Sequence, residues 1–205
     1  MLLSKDYRDR ARSALGLSWL GNRWGSFAVI TLIYMLITAA CGAFSIAVIG
    51  LIAGIILMGP LEYGMDYISL KAVRGENFQL NDLFEGLNDI VNKILLYIIN
   101  AVLVFLWSLL FVIPGIIKLI EYSMSYYVLC DNPTMAANEA RLESMRLMQG
   151  NKWRYFCLMF SFIGWIILSG LTFGILLLWV IPYVRTATAA FYESLVPVRV
   201  DRPVY

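Results

Sequence analysis

The sequence predicts an all-α polytopic membrane bundle, a single domain over residues 1–205, with six spans folded as three hairpins plus amphipathic surface helices. Three observations predict it. The 205 residues are 60% hydrophobic and 15% charged, against about 45–50% apolar and about 25% charged in soluble domains. The charge-poor stretches come in three blocks, 26–70, 94–130 and 155–195. Each can hold two helices of about 20 residues, the length that crosses roughly 30 Å of hydrocarbon. The basic residues gather between the blocks and at the chain ends. An even span count puts these connections and both chain ends on one face, cytoplasmic by the positive-inside rule.

Residues 1–24 open the chain with Tyr7, Ala11, Ala14, Leu15 and Trp19 at helical spacing among Lys5, Arg8, Arg10 and Arg12. That pattern predicts an amphipathic helix in the headgroup region. No short apolar core or small-residue cleavage site appears in residues 1–25, so the N-terminus is expected to stay cytoplasmic. The first block turns at "AACGAFS" near Cys41, and Gly42, Gly50, Gly54 and Gly59 permit close helix contacts, within the bundle or between protomers. Lys71, Arg74 and Lys93 mark the next connection. There Phe78, Leu80, Leu83, Phe84 and Leu87 of "ENFQLNDLFEGLND" predict a short re-entering or surface helix.

The second block turns near "VIPG". Residues 131–153 then predict a surface helix, with Asn132 as cap, Pro133 at its first position and Gly150 as its stop. Met135, Leu142 and Met145 would face lipid or the bundle; Arg141 and Arg146 would face water or phosphate. The third block turns at "SGLTFG", and Arg199 and Arg202 close the chain on the basic side. Both termini are expected in the cytoplasm, in a multi-pass protein of the cell's inner membrane.

A phrase recurs across the blocks. "LLFVIPGI" and "LLLWVIPYV" share Leu-Leu-aromatic-Val-Ile-Pro, and "ILMGPLEYG" is a looser copy. Pro60, Pro114 and Pro182 each fall in the second helix of a hairpin, and charges follow each: Glu62 and Asp66, Lys118 and Glu121, Arg185. At 1.5 Å per residue, Glu62 and Glu121 lie about 13–15 Å below the cytoplasmic face and Arg185 about 12 Å. A lone charge at such depth costs at least about 2.5–3.5 kcal/mol, so acids and bases are expected to pair in one layer. Lys118 and Glu121 can also meet along one helix face. Tyr63, Tyr67, Tyr122, Tyr126, Tyr127, Tyr183 and Tyr192 crowd the same helices, as hydroxyl donors or as interfacial anchors. A structural ion-pair clamp and a polar cavity for an ion, proton or lipid headgroup both fit this pattern.

Several functions start from a weak position. There is no histidine, which removes the commonest metal ligand, the usual general base and the usual triad partner. Cys41, Cys130 and Cys157 have no C-x-x-C spacing and read as small packing residues. No metal site, cofactor or catalytic residue is expected. The net charge of +2 and the absence of a basic stripe argue against nucleic-acid binding.

"IPGIIKLIEYSMSYYVLCDNP", "NEARLESMRLMQGNKWRYF" and "SFIGWIILSGLTFGILLLWVIPYVRTATAAFYESL", taken in order, resemble a bacterial integral-membrane family known as domain of unknown function 975. "ARSALGLSWLGNRWG", "GPLEYGMDYISLKAVRGE" and "LNDLFEG" extend the likeness over nearly the whole chain. The family is distantly similar to the membrane domain attached to some glycerophosphodiester phosphodiesterases. The resemblance implies a helical membrane fold and supplies no catalytic residues. The leading expectation is a non-enzymatic scaffold, transport-associated or lipid-interacting protein whose partners are membrane lipids, with homo-oligomerisation open. The alternatives are a small oligomeric transporter or channel using the charged layer, and lastly a lipid-modifying enzyme. In that last case Glu62 or Glu121 would be acid/base, with Arg185 or Lys118 holding phosphate.

Overall fold

A computed structural model describes residues 4–15, 22–44, 48–172 and 174–196. Its α-helices are α1 (Ser4–Leu15), α2 (Asn22–Phe44), α3 (Val48–Val73), α4 (Ile90–Leu110), α5 (Val112–Tyr122), α6 (Ser125–Asp131), α7 (Ala137–Met148), α8 (Lys152–Phe160), α9 (Ile163–Leu171) and α10 (Leu177–Leu195). A 3₁₀ helix, Leu80–Leu87, joins α3 to α4. The described residues form helices and connectors without a strand.

Three stretches are long and apolar enough to cross a membrane: Arg23–Ala40, Ile90–Leu110 and Lys152–Leu171, the last running through α8 and α9. Their outer sides carry bare apolar groups, including Val29, Leu36, Phe105 and Ile167, each more than half exposed. A water-soluble surface rarely presents so continuous an apolar area, and the architecture is compatible with a membrane protein.

The centre is built by α3 and α10. Buried Thr186, Ala187, Thr188, Ala189 and Ala190 give α10 a slim middle, against which α1, α2 and α3 pack. Pro60 lies inside α3 and Pro182 inside α10, while Pro114 occupies the first turn of α5. There its missing N–H leaves no helical bond unmade. A single extended residue, Phe111 (φ −157°, ψ 144°), reverses the chain, so that α5 runs back along α4.

The segment after α3 packs more deeply than a surface helix. Its 3₁₀ turn lies directly on α3, backbone to backbone: a Cβ on Gly64 would stand 2.0 Å from the Leu83 carbonyl oxygen, and one on Gly86 would stand 2.0 Å from the Pro60 carbonyl oxygen. Leu83 is fully buried while Leu80, Phe84 and Leu87 point outward. Of the four glycines expected at close contacts, Gly59 abuts the Lys93 carbonyl and Gly54 faces open space. The surroundings of Gly42 and Gly50 lie outside the described residues.

Two surface elements differ from expectation. The stripe of α1 faces protein rather than headgroups: Tyr7, Ala11 and Leu15 are buried against α10, α3 and α8. Tyr7 meets Phe191 edge-on at 5.2 Å, shares a hydrogen bond with Ser194 at 3.1 Å and accepts one from Arg154. Bulky ring and hydroxyl contacts are available in the bundle, so the apolar face is satisfied there. Trp19 lies outside the described residues. The helix expected from Pro133 starts instead at Ala137, because Asn132 ends α6 and residues 133–135 turn. Its inner face is Ala137, Ala140, Ser144 and Met148; Leu142 is half exposed. Gly150 does stop the segment, at φ +75°.

Candidate functional site

Two parallel helices carry the site. Arg185 of α10 donates through Nη1 to Asp66 Oδ1 at 2.8 Å and through Nη2 to Glu62 Oε2 at 2.6 Å. Glu62 and Asp66 lie about one turn apart on α3, so one planar guanidinium spans both. Asp66 is 6% exposed, and removal from water strengthens the pairing. From α2, Tyr34 donates to the other Glu62 oxygen at 2.6 Å. From α6, Tyr127 donates to the Arg185 carbonyl at 3.4 Å.

Farther along both helices a second ionic knot forms. Arg74, just past α3, donates to Glu193 at 2.7 Å and Asp131 at 2.6 Å, and Tyr192 donates to Asp131 at 3.0 Å. Burial weighs against the Arg74 cation, but Asp131 and Glu193 outweigh it and raise its pKa above the ordinary value. As the chain advances from Asp66 to Arg74, its partners advance from Arg185 to Glu193. α3 and α10 therefore run parallel. Contacts of Tyr127 near Arg185 and of Asp131 with Tyr192 give α6 the same direction.

The expected single layer divides here. Glu62, Asp66 and Arg185 come together; Lys118 and Glu121 do not join them. Glu121 pairs with Lys118 at 2.6 Å and with Lys152 at the start of α8. Lys152 belongs to a segment read as a cytoplasmic connector, and its long side chain reaches Glu121 from there. Lys118 also lies over the Trp107 ring at 5.4 Å. Nearby, Ser144 accepts from the Met124 N–H at 3.2 Å and donates to the Glu121 carbonyl at 2.7 Å, docking α7 on the break between α5 and α6. Tyr34 and Lys152 were not singled out in the sequence. Tyr34's signal was its place on an apolar helix able to face Glu62, and Lys152's was its nearness to a charge-poor block.

A cavity of about 430 Å³ adjoins the triad. Glu62, Asp66 and Arg185 form one end, and five tyrosines line it: Tyr97, Tyr122, Tyr126, Tyr127 and Tyr155. Ala101 and Leu119, also in the lining, are exposed on the outer, apolar side of the bundle. The cavity thus has an ionic end and a side where its lining reaches the apolar outer surface. Two wall residues each hold a buried oxygen without a hydrogen-bond partner among the described residues, Asn100 Oδ1 and the Tyr126 hydroxyl. Unpaired buried oxygens of this kind cost free energy unless water or a ligand supplies the partner. Among the described residues no group of three or more His, Cys, Asp or Glu side chains is placed to hold a metal ion.

No curated protein and no solved structure matches the chain. The more distant likeness to the membrane domain of glycerophosphodiester phosphodiesterases therefore has no match behind it. The motifs of the second and third blocks do: over residues 109–198 the chain matches the model of the family described as Protein of unknown function (DUF975).

Proposed function

We propose that this chain is a non-enzymatic, lipid-interacting protein of the inner membrane, crossing it six times with both termini in the cytoplasm. The observation that carries the reading is the cavity: ionic at one end, tyrosine-lined, and reaching the apolar outer surface on one side. An amphipathic molecule in the bilayer meets that side without leaving the membrane. Apolar pockets with a few convergent polar groups are the usual form of ligand sites.

The parallel course of α3, α6 and α10 supports six crossings, because the second helix of each of three successive hairpins returns in one direction. The basic connections also gather at one end. Arg23 donates to the Ala14 carbonyl at 3.1 Å and to the Gly75 carbonyl at 2.8 Å, tying the first two together. Against catalysis on phosphate, both terminal nitrogens of Arg185 are engaged by carboxylates, and Lys118 is engaged by Glu121.

Native mass spectrometry of the full chain released from lipid nanodiscs tests the reading. The protein should retain phospholipid. Leu119→Trp, at the mouth, should lose most of it while melting within a few degrees of the original. Equal retention by both proteins, or none by either, overturns the proposal.

A further inference from the structure

We infer that the cavity recognises an alkylammonium group, an inference that rests on the cavity being the ligand site. Its charge count comes first. Glu62 and Asp66 supply two carboxylates and Arg185 one guanidinium, and no other Asp, Glu, Lys or Arg lines the space. One negative charge is left without a counterpart beside Asp66, which is 6% exposed, where Coulomb forces are stronger than in bulk water. A phosphate or carboxylate would meet two like charges, and the Arg185 nitrogens that would bind it already donate to Asp66 and Glu62.

The walls point the same way. Five tyrosines line the space, and the negative faces of aromatic rings attract organic cations, ammonium groups above all. The unpartnered Asn100 Oδ1 is an acceptor only, and the Tyr126 hydroxyl accepts as well as donates. Both suit a ligand that brings N–H groups or positively polarised C–H groups. The apolar remainder, including Ala101, Val104 and Met159, takes the attached carbon chain. The ammonium can belong to a lipid headgroup, such as that of phosphatidylethanolamine, or to a free lipophilic amine.

The test uses the full chain in nanodiscs of phosphatidylglycerol alone. Isothermal titration with hexyltrimethylammonium should show saturable binding, and hexyl sulfate should show none. Glu62→Gln should weaken the ammonium by at least about tenfold, the size of a partly desolvated charge or cation–π contact. Should that variant fail to fold, Leu119→Trp on the exposed rim blocks the same titration without touching the triad. A second arm offers equal phosphatidylethanolamine and phosphatidylglycerol to the protein. Preferential retention of the former in native mass spectra assigns the ammonium to a headgroup; titration by the amine without that preference assigns it to a free amine. Binding of hexyl sulfate as tight as that of the ammonium overturns the ligand class. So does retained phospholipid with no response to the ammonium, although the lipid-cavity reading then survives. Neither lipid nor amine bound sinks both.

Discussion

Asp66 and Arg185 are joined across 119 residues of sequence, the same interval that separates Arg74 from its partner Glu193. The two contacts lie eight residues apart on each side of the pairing, a little over two turns or about 12 Å along the α10 axis. Their signs are exchanged: α3 and the residue just past it carry acid then base, α10 base then acid. Side by side in parallel, both contacts attract. Turned antiparallel, acid would face acid and base would face base. The arrangement thus selects direction as well as register, a repulsive element against the wrong docking.

Reversing one of these charges should therefore be harmful and reversing both should not. Arg74→Glu sets an acid against Asp131 and Glu193 and should lower stability by about 1–3 kcal/mol, the scale of a charged hydrogen bond lost. Adding Glu193→Arg should recover most of it. Thermal melts of the two proteins in detergent check this; an additive, unrecovered loss would show that the pair does not set the register.

Removing Arg185 leaves Glu62 and Asp66 facing each other in a largely buried site. Arg185→Ala should destabilise by about 3–5 kcal/mol if the site is dry. Neutralising Glu62 as Gln in the same chain should restore much of the melting temperature. Neutralising Glu121 should not, because Glu121 is held by Lys118 and Lys152. Equal rescue by both would contradict the division into two clusters.

The glycine contact between α3 and the 3₁₀ turn leaves no room for a methyl group. Gly64→Ala and Gly86→Ala should each cost about 1–3 kcal/mol through forced backbone displacement. Gly54→Ala, facing open space, should be neutral or slightly stabilising through helix propensity. Melting curves of the three variants rank these sites directly.

Six crossings place Gly150 and Leu171 on opposite sides of the membrane. Single cysteines introduced there, in a chain whose native cysteines are replaced, should react with an impermeant maleimide from the cytoplasmic and the outer side respectively. Reaction of both from one side would remove the six-span proposal.

The pairing of Arg185 with an acid on another helix was legible in the sequence, because a lone charge in a charge-poor helix requires a partner. Its choice of Glu62 and Asp66 over Glu121 was not. That choice depends on Lys152, whose flexible stem carries its charge away from the segment where it is written. The stripe of Tyr7, Ala11 and Leu15 announced an amphipathic helix, yet the same stripe serves lipid or protein equally well. Gly64 and Gly86 gave no signal, since their need for a missing side chain arises only when the 3₁₀ turn folds back on α3. The α7 start at Ala137 was obscured because Pro133, a good first-turn residue, follows directly on the end of α6.

The reversal at Phe111 is flanked by Leu109, Leu110, Val112 and Ile113, and all five are between 63% and 74% exposed. Such a cap behaves like grease at the end of a peg. In water it would be a nucleus for clumping, at about 25 cal/mol for every Å² of hydrocarbon left wet. On the proposed six-span topology, acyl tails would cover it and hide it from proteases and antibodies arriving from outside. Handling of the purified protein follows from this: short-chain detergents leave the cap thinly covered and favour precipitation, whereas thicker micelles or nanodiscs shield it.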